Sequence, residues 1–290
     1  MKKQSGLSTY HPAVGFLYFT IVLGCSMFCM HPVFLLFSLL GGALYYAQLK
    51  GKTALCSMGK RILPLFFMAV IVNPAFQHDG ITILCLLPSG NPLTMESLIY
   101  GGAAGTMLVA VLLWFACFSE VMTSDKFLYL FGRVIPSLSL VLSMALRMIP
   151  LFRAQFDRVR EAQAGLGRDT GNGSFRRRFR NTMACFSAVV TWSMENAVDT
   201  ADSMRSRGYG TVSRRTAYTD YRWESRDKAA GELLLLCGFF FLTNSVAGHL
   251  SWRYFPRMEG ALTEPLTVMT ALLYLAVCLA PLYLAKKEVG

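Results

Sequence analysis

Residues Met183–Gly210 read MACFSAVVTWSMENAVDTADSMRSRGYG. Met183, Phe186, Val190, Met194, Ala197, Ala201 and Met204 recur every three or four residues, which predicts one side of an α-helix. Glu195, Asp199, Asp202 and Arg205 fall on a different, charged side. Gly208 stands where a helix C-cap glycine belongs. Arg207 falls in the last turn, where its charge complements the exposed carbonyls. Such a helix suits docking into a groove of another protein, although a capped surface helix has the same features.

Working outward, the flanks are apolar. Hydrophobic residues make up 54% of the 290 and charged residues 16%, with a mean hydropathy of +0.43, against roughly 25% charged in soluble domains. Several runs approach the ~20 apolar residues that cross a bilayer. The expectation is an all-α polytopic membrane protein. The net charge of +11 comes in blocks separated by apolar spans: Lys2 and Lys3, then Lys50, Lys52, Lys60 and Arg61, then the segment after Glu120, then Lys286 and Lys287. That is the positive-inside pattern, and it accounts for the basicity without nucleic acid.

Six spans are expected, at about Ala13–Met30, Val33–Leu49, Ile62–Phe76, Leu98–Phe118, Ala230–Leu250 and Leu262–Ala285. His31-Pro32 breaks the first from the second. Lys50 to Arg61 reads as a basic loop, and Pro64 and Asn73-Pro74 predict a kink or break in the third span. Ile81 to Leu87 is too short to cross and reads as re-entrant or interfacial. The segment Ser119 to Lys228 holds 18 of the 28 lysines and arginines, which places it with both termini in the cytoplasm. Three regions follow: 1–118 with four spans, 119–228 on the cytoplasmic side, and 229–290 with two spans. The polar stretch Met1 to Pro12 suits a first span that acts as its own insertion signal.

Within 119–228, Val134 to Ile149 reads as a helix in the interface. A second amphipathic pattern starts at Leu151, with Phe152, Phe156, Val159, Gln163 and Leu166 on one side and an Arg153–Asp157 ion pair elsewhere. Gly165, Gly167 and Gly171-Asn172-Gly173 end it. Arg176-Arg177-Arg178 and Arg180 lead into the opening stretch, a cluster suited to anionic lipid headgroups, to an acidic protein surface, or to fixing topology alone.

Other candidates read blandly. The eight cysteines form no Cys-x-x-Cys pair and read as small buried hydrophobes. His11, His31, His78 and His249 are scattered, and no metal site is expected. Glu195, Asp199 and Asp202 read as a solvated or partner-facing stripe. No Gly-x-x-x-x-Gly-Lys-Ser/Thr loop occurs, so ATP is not bound by that route. Gly101 and Gly105 have the spacing of close helix packing, within the bundle or against another membrane protein. A stand-alone transporter would need polar groups at mid-membrane, for which Asn73, Asn244 and His249 are the candidates. An integral membrane enzyme would need an acid/base or metal set, and none converges in the sequence.

Six stretches in order resemble one family. They are Asn73-Pro74-Ala75-Phe76-Gln77-His78-Asp79-Gly80, Ser97-Leu98-Ile99-Tyr100-Gly101, Met122-Thr123-Ser124-Asp125-Lys126-Phe127, Ser143-Met144-Ala145-Leu146-Arg147-Met148-Ile149-Pro150, Glu161-Ala162-Gln163 and Met204-Arg205-Ser206-Arg207-Gly208-Tyr209. The chain is similar over essentially its full length to the T component (EcfT, CbiQ-type) of energy-coupling factor transporters. The resemblance implies a scaffold in a prokaryotic plasma membrane, joining two ABC ATPase subunits (EcfA-type) to one substrate-binding membrane S component for a vitamin or transition metal. It implies no cofactor on this chain, with ATP and Mg on the ATPases. It also implies a pair of cytoplasmic coupling helices, each ending in an Ala-Arg-Gly-like motif that enters an ATPase groove. The second motif corresponds to Ser206-Arg207-Gly208, beside Arg205. The first falls at Gly165-Leu166-Gly167, where Leu166 stands in place of arginine and Arg168 follows two residues later, so that either Arg168 substitutes or one groove is engaged by an apolar contact. The apolar stripes (Phe152, Phe156, Val159, Met183, Phe186, Val190, Met194) become packing and S-component surfaces.

Overall fold

The computed structural model describes residues 6–77, 80–86, 92–132, 135–168, 170–171, 173–211, 221–256, 259–260 and 264–287. Lys2, Lys3, His78-Asp79, residues 87–91, Val134, Asn172, Arg257 and the side chains of Lys286 and Lys287 lie outside that set. The protein is an all-α polytopic membrane protein. Its elements in order are α1 (Pro12–Phe28), α2 (Pro32–Lys50), α3 (Lys52–Phe76), the hairpin β1 (Ile83–Leu86) and β2 (Pro92–Thr94), α4 (Met95–Val121) and α5 (Ser124–Gly132). Then come α6 (Pro136–Gly165), α7 (Phe175–Ser206), α8 (Ser225–Val246), the hairpin β3 (Trp252–Arg253) and β4 (Glu259–Gly260), and α9 (Pro265–Lys287). The chain divides into two compact units, residues 1–127 with 221–290, and residues 128–220, the boundary falling inside α5.

In the first unit α2, α3, α4, α8 and α9 are long and apolar enough to cross a membrane. At 17 residues α1 is apolar but shorter, about 26 Å against a hydrocarbon core of about 30 Å. Prolines open α1 and α2 at positions where no amide donor is needed. His11 accepts the Ala13 N–H at 3.2 Å through Nδ1 and caps α1.

Two expectations need correction here. Lys50 to Arg61 is not a loop, because Gly51 (φ +90°) makes the turn alone and α3 begins at Lys52. Its first turns stay helical because Ala54, Leu55 and Met58 pack against the core. Of the kink or break expected at Pro64 and Asn73-Pro74, the break does not occur, since the helix continues through both prolines. Pro74 lacks the N–H that Val70 O would accept, and α4 closes over that carbonyl. A Cβ on Gly101 would come within 3.2 Å of Val70 O, and one on Gly105 within 2.9 Å of the Phe66 ring. Both glycines therefore seat α4 on α3. The short apolar piece after Gly80 is extended, pairing Ile83 with Thr94 and Cys85 with Leu93.

Trp114 of α4 is fully buried at the centre of this unit. It packs over Gly41 and Gly42 of α2, where a Cβ on Gly41 would collide with Cys278 Cβ at 2.7 Å and one on Gly42 would press on the indole at 3.3 Å. Its indole N–H donates to Ser38 O at 3.1 Å and lies 3.0 Å from Ser38 Oγ. Ser26 and Ser38 hydroxyls meet at 2.6 Å, and Ser26 reaches Tyr274 OH at 3.0 Å. A lipid-embedded core offers no water to satisfy such groups, so they satisfy one another.

Connections sort the unit into two ends. At one, His11 N–H donates to Asp227 at 3.4 Å, Lys50 pairs with Glu120, and Gly6 lies against Ala285. At the other, Tyr254 OH donates to Met30 O at 2.7 Å, Ser97 Oγ to Gln77 O at 2.8 Å, and Thr267 Oγ1 to His249 O at 3.1 Å. The six helices thus alternate in direction, and both ends of the described chain meet at the first end.

Candidate functional site

The second unit is built on α6 and α7. The separate interfacial helix at Val134 to Ile149 and amphipathic pattern from Leu151 form a single 30-residue helix. An interior proline costs about 3 kcal/mol in isolation. Contacts on both sides of Pro150 hold α6 through it: Asn196 Nδ2 reaches Met148 Sδ at 3.9 Å, and Phe152 meets Trp192 edge-on at 6.2 Å. Likewise α7 starts at Phe175, so the arginine cluster occupies its first turns instead of preceding it. Asp157 pairs with Arg160 at 3.2 Å in place of Arg153, because the acid-before-base order suits the helix dipole.

The face of α7 that turns to α6 differs from the one the sequence suggests. Asn181, Cys185 and Val189 are buried at four-residue spacing, and Trp192 and Asn196 continue that line. Their repeat was present in the sequence, but bulkier residues on the opposite side masked it. The opening stripe is left open: Met194 is 66% and Phe186 58% exposed, and Met183 is also exposed. Val190 and Phe186 border a groove of about 440 Å³ whose other wall is Phe152 and Phe156. The structure thus brings Phe152, Phe156, Phe186 and Val190 together, with Val159 half-buried, while Met183 and Met194 stand outside the groove.

Both helices end alike. At the end of α6 the Gly167 N–H donates to Ala164 O at 2.9 Å and the Arg168 N–H to Gln163 O at 2.9 Å, with Gly167 at φ +76°. At the end of α7 the Gly208 N–H donates to Arg205 O at 2.9 Å and the Tyr209 N–H to Met204 O at 3.0 Å, with Gly208 at φ +80°. These are two Schellman caps, each requiring a left-handed residue that glycine supplies at least cost. The caps register Gly165 with Ser206, Leu166 with Arg207, Gly167 with Gly208 and Arg168 with Tyr209. Leu166, at 73% exposure, therefore occupies the cap position that Arg207 occupies on the other helix. Arg205 pairs with Asp202 at 3.8 Å, whereas Arg207 is exposed and has no ion-pair partner among the described residues. Because the two caps lie at opposite ends of the 32-residue α7, they are separated by roughly 45 Å.

The family model for CbiQ, a cobalt transport protein, matches residues 11–218. The chain belongs to the CbiQ family. It is 33% identical over 90 residues to the energy-coupling factor transporter transmembrane protein EcfT of Lactococcus lactis, covering 31% of this chain and 34% of that protein. It is 32% identical over 109 residues to EcfT of Lacticaseibacillus paracasei (37% and 41%), and 29% identical over 106 residues to EcfT 1 of Listeria monocytogenes (37% and 38%). The matches thus span roughly two fifths or less of these relatives' length.

In this CbiQ family member two of the recognised stretches meet at one end of the first unit. A Cβ on Gly101 would approach Asn73 Cβ at 3.3 Å, and Ser97 bonds to Gln77. Glu195, Asp199 and Asp202 are exposed, and no cluster of metal-ligating side chains occurs among the described residues. Seven cysteines, those whose side chains are described, are free, and five of them are buried.

Proposed function

We propose that this chain is the transmembrane scaffold subunit of an energy-coupling factor importer. Two ABC ATPases bind and hydrolyse ATP, and an S component of the vitamin or transition-metal class carries the substrate. The observation that carries the reading is the pair of equivalent capped helix ends. One offers an arginine with no ion-pair partner among the described residues, and the other offers a leucine at the same cap position. A guanidinium in a groove forms charge-assisted, bidentate bonds to a carboxylate, while Leu166 suits an apolar socket. Their separation of about 45 Å suits two grooves on different subunits.

In this reading the chain performs no chemistry of its own. ATP-driven closure moves the two tips, and α6 and α7 pass the movement to the S component through the open stripe around Phe186 and Met194. Apolar packing has little directional demand, so these surfaces can slide. The positive-inside rule places α6, α7 and both termini in the cytoplasm. The names of the curated relatives support this reading, as does the family's description as a transport protein.

The rival reading, a stand-alone transporter, is weakened by where two of its three polar candidates point. Asn73 donates to Ala69 O at 3.1 Å and Asn244 to Phe240 O at 2.8 Å, each on its own helix. Purification of the co-expressed complex in mild detergent separates the two: ATPases and an S component co-eluting with this chain are expected, and substrate uptake by the chain alone in vesicles would overturn the scaffold reading.

A further inference from the structure

The first two turns of α7 carry a feature that docking of the helix tips does not use. Phe175, Arg176, Arg177, Arg178, Phe179 and Arg180 are all exposed, Phe175 at 84% and Phe179 at 56%. No acidic residue occurs from Thr170 to Met194, so the four arginine charges are uncompensated along that length. Nor does the helix favour them, since cations at a helix N-terminus oppose its macrodipole. Arg177 and Arg178 turn back onto the preceding turn, donating to Gly167 O at 3.4 Å and Thr170 O at 3.1 Å. Arg176 and Arg180, one turn apart, take no partner among the described residues. Phe175 and Phe179, also one turn apart, form the neighbouring strip of the same surface.

We propose that Phe175–Arg180 is a binding surface for anionic phospholipid, with the arginines on headgroup phosphates and the two phenylalanines in the adjoining acyl layer. The pairing of strips decides between occupants. An acidic protein surface would answer the charge but leave two highly exposed phenyl rings unmatched. The boundary of an anionic leaflet offers negative charge and hydrocarbon side by side. This inference rests on the membrane setting alone and not on the scaffold reading.

The test uses the full chain without partners, in detergent micelles doped with equal phosphatidylglycerol and phosphatidylcholine, with bound lipid counted by mass spectrometry. Wild type is expected to retain phosphatidylglycerol preferentially. Replacing all four arginines (R176Q, R177Q, R178Q and R180Q together) should lower that preference by about tenfold. The fourfold Arg→Lys protein should keep it, because headgroup attraction needs charge and not guanidinium geometry. F175A with F179A should lower total bound lipid without altering its salt dependence. An unchanged preference in the glutamine protein overturns the proposal, and so does loss of preference in the lysine protein. If the glutamine protein does not fold, the lysine and phenylalanine proteins still decide the matter. If the glutamine protein keeps its lipid but no longer binds co-expressed ATPases, the patch is a protein contact and the proposal fails, while the scaffold reading stands.

Discussion

The tips of α6 and α7 share a backbone and differ in chemistry. Both close with the same two amide-to-carbonyl hydrogen bonds around a glycine of positive φ, yet one presents Leu166 and the other Arg207 at the cap. The fold needs the glycine in each case and is indifferent to the side chain before it, which is exposed and bonds to none of the described residues. What stands at that position is therefore free to answer a partner. On the proposed scaffold reading, unlike side chains on like scaffolds call for two unlike sockets, so the two tips should fail in different ways.

The largest effect is expected from Arg207→Glu. Charge reversal in a carboxylate-lined groove should reduce ATPase association by at least about thirtyfold while membrane insertion, read by protease protection, stays intact. Next, Leu166→Ala should weaken association about tenfold through lost apolar burial, with a salt dependence like wild type. Arg207→Ala should make association less sensitive to salt than wild type. Equal salt responses of the two alanine variants would remove the distinction between the tips. Gly167→Ala and Gly208→Ala should each cost about 1 kcal/mol at the cap. Hydrogen exchange should show faster amides at Arg168 or Tyr209 respectively. The smallest effects belong to Arg168→Ala and Asp202→Asn, each under about twofold in ATPase binding, since the Asp202–Arg205 pair is exposed. A large loss on Arg168→Ala would move the first contact from Leu166 to that arginine.

Much of this was legible in the sequence, for identifiable reasons. Apolar length and charge blocks give the membrane class and the six helices of the first unit because the bilayer makes those features obligatory. Gly208 was legible as a cap because its role is local. Whatever depends on packing partners was not legible. Pro150 looks like a terminator, and only contacts with Asn196 and Trp192 on α7 explain its place inside α6. Lys52 to Arg61 looks like a loop until Leu55 and Met58 find the core. The α6-facing line of Asn181, Cys185 and Val189 hid behind the bulkier stripe of Met183, Phe186 and Met194, which the structure leaves open. The motif resemblance already set Leu166 in the arginine's place; backbone geometry adds that Leu166 and Arg207 are both C-cap residues, and the choice between Leu166 and Arg168 as the contact is left to the variants above.

The account stands most directly on where the two tips go. A photo-crosslinking residue placed at position 166 and, separately, at position 207, in membranes with co-expressed ATPases, reads this out. Each site should yield a covalent adduct with an ATPase subunit, and a chain carrying both should hold two ATPases in one complex. Adducts to lipid alone at both positions, with the ATPases still present in the membrane, would contradict it.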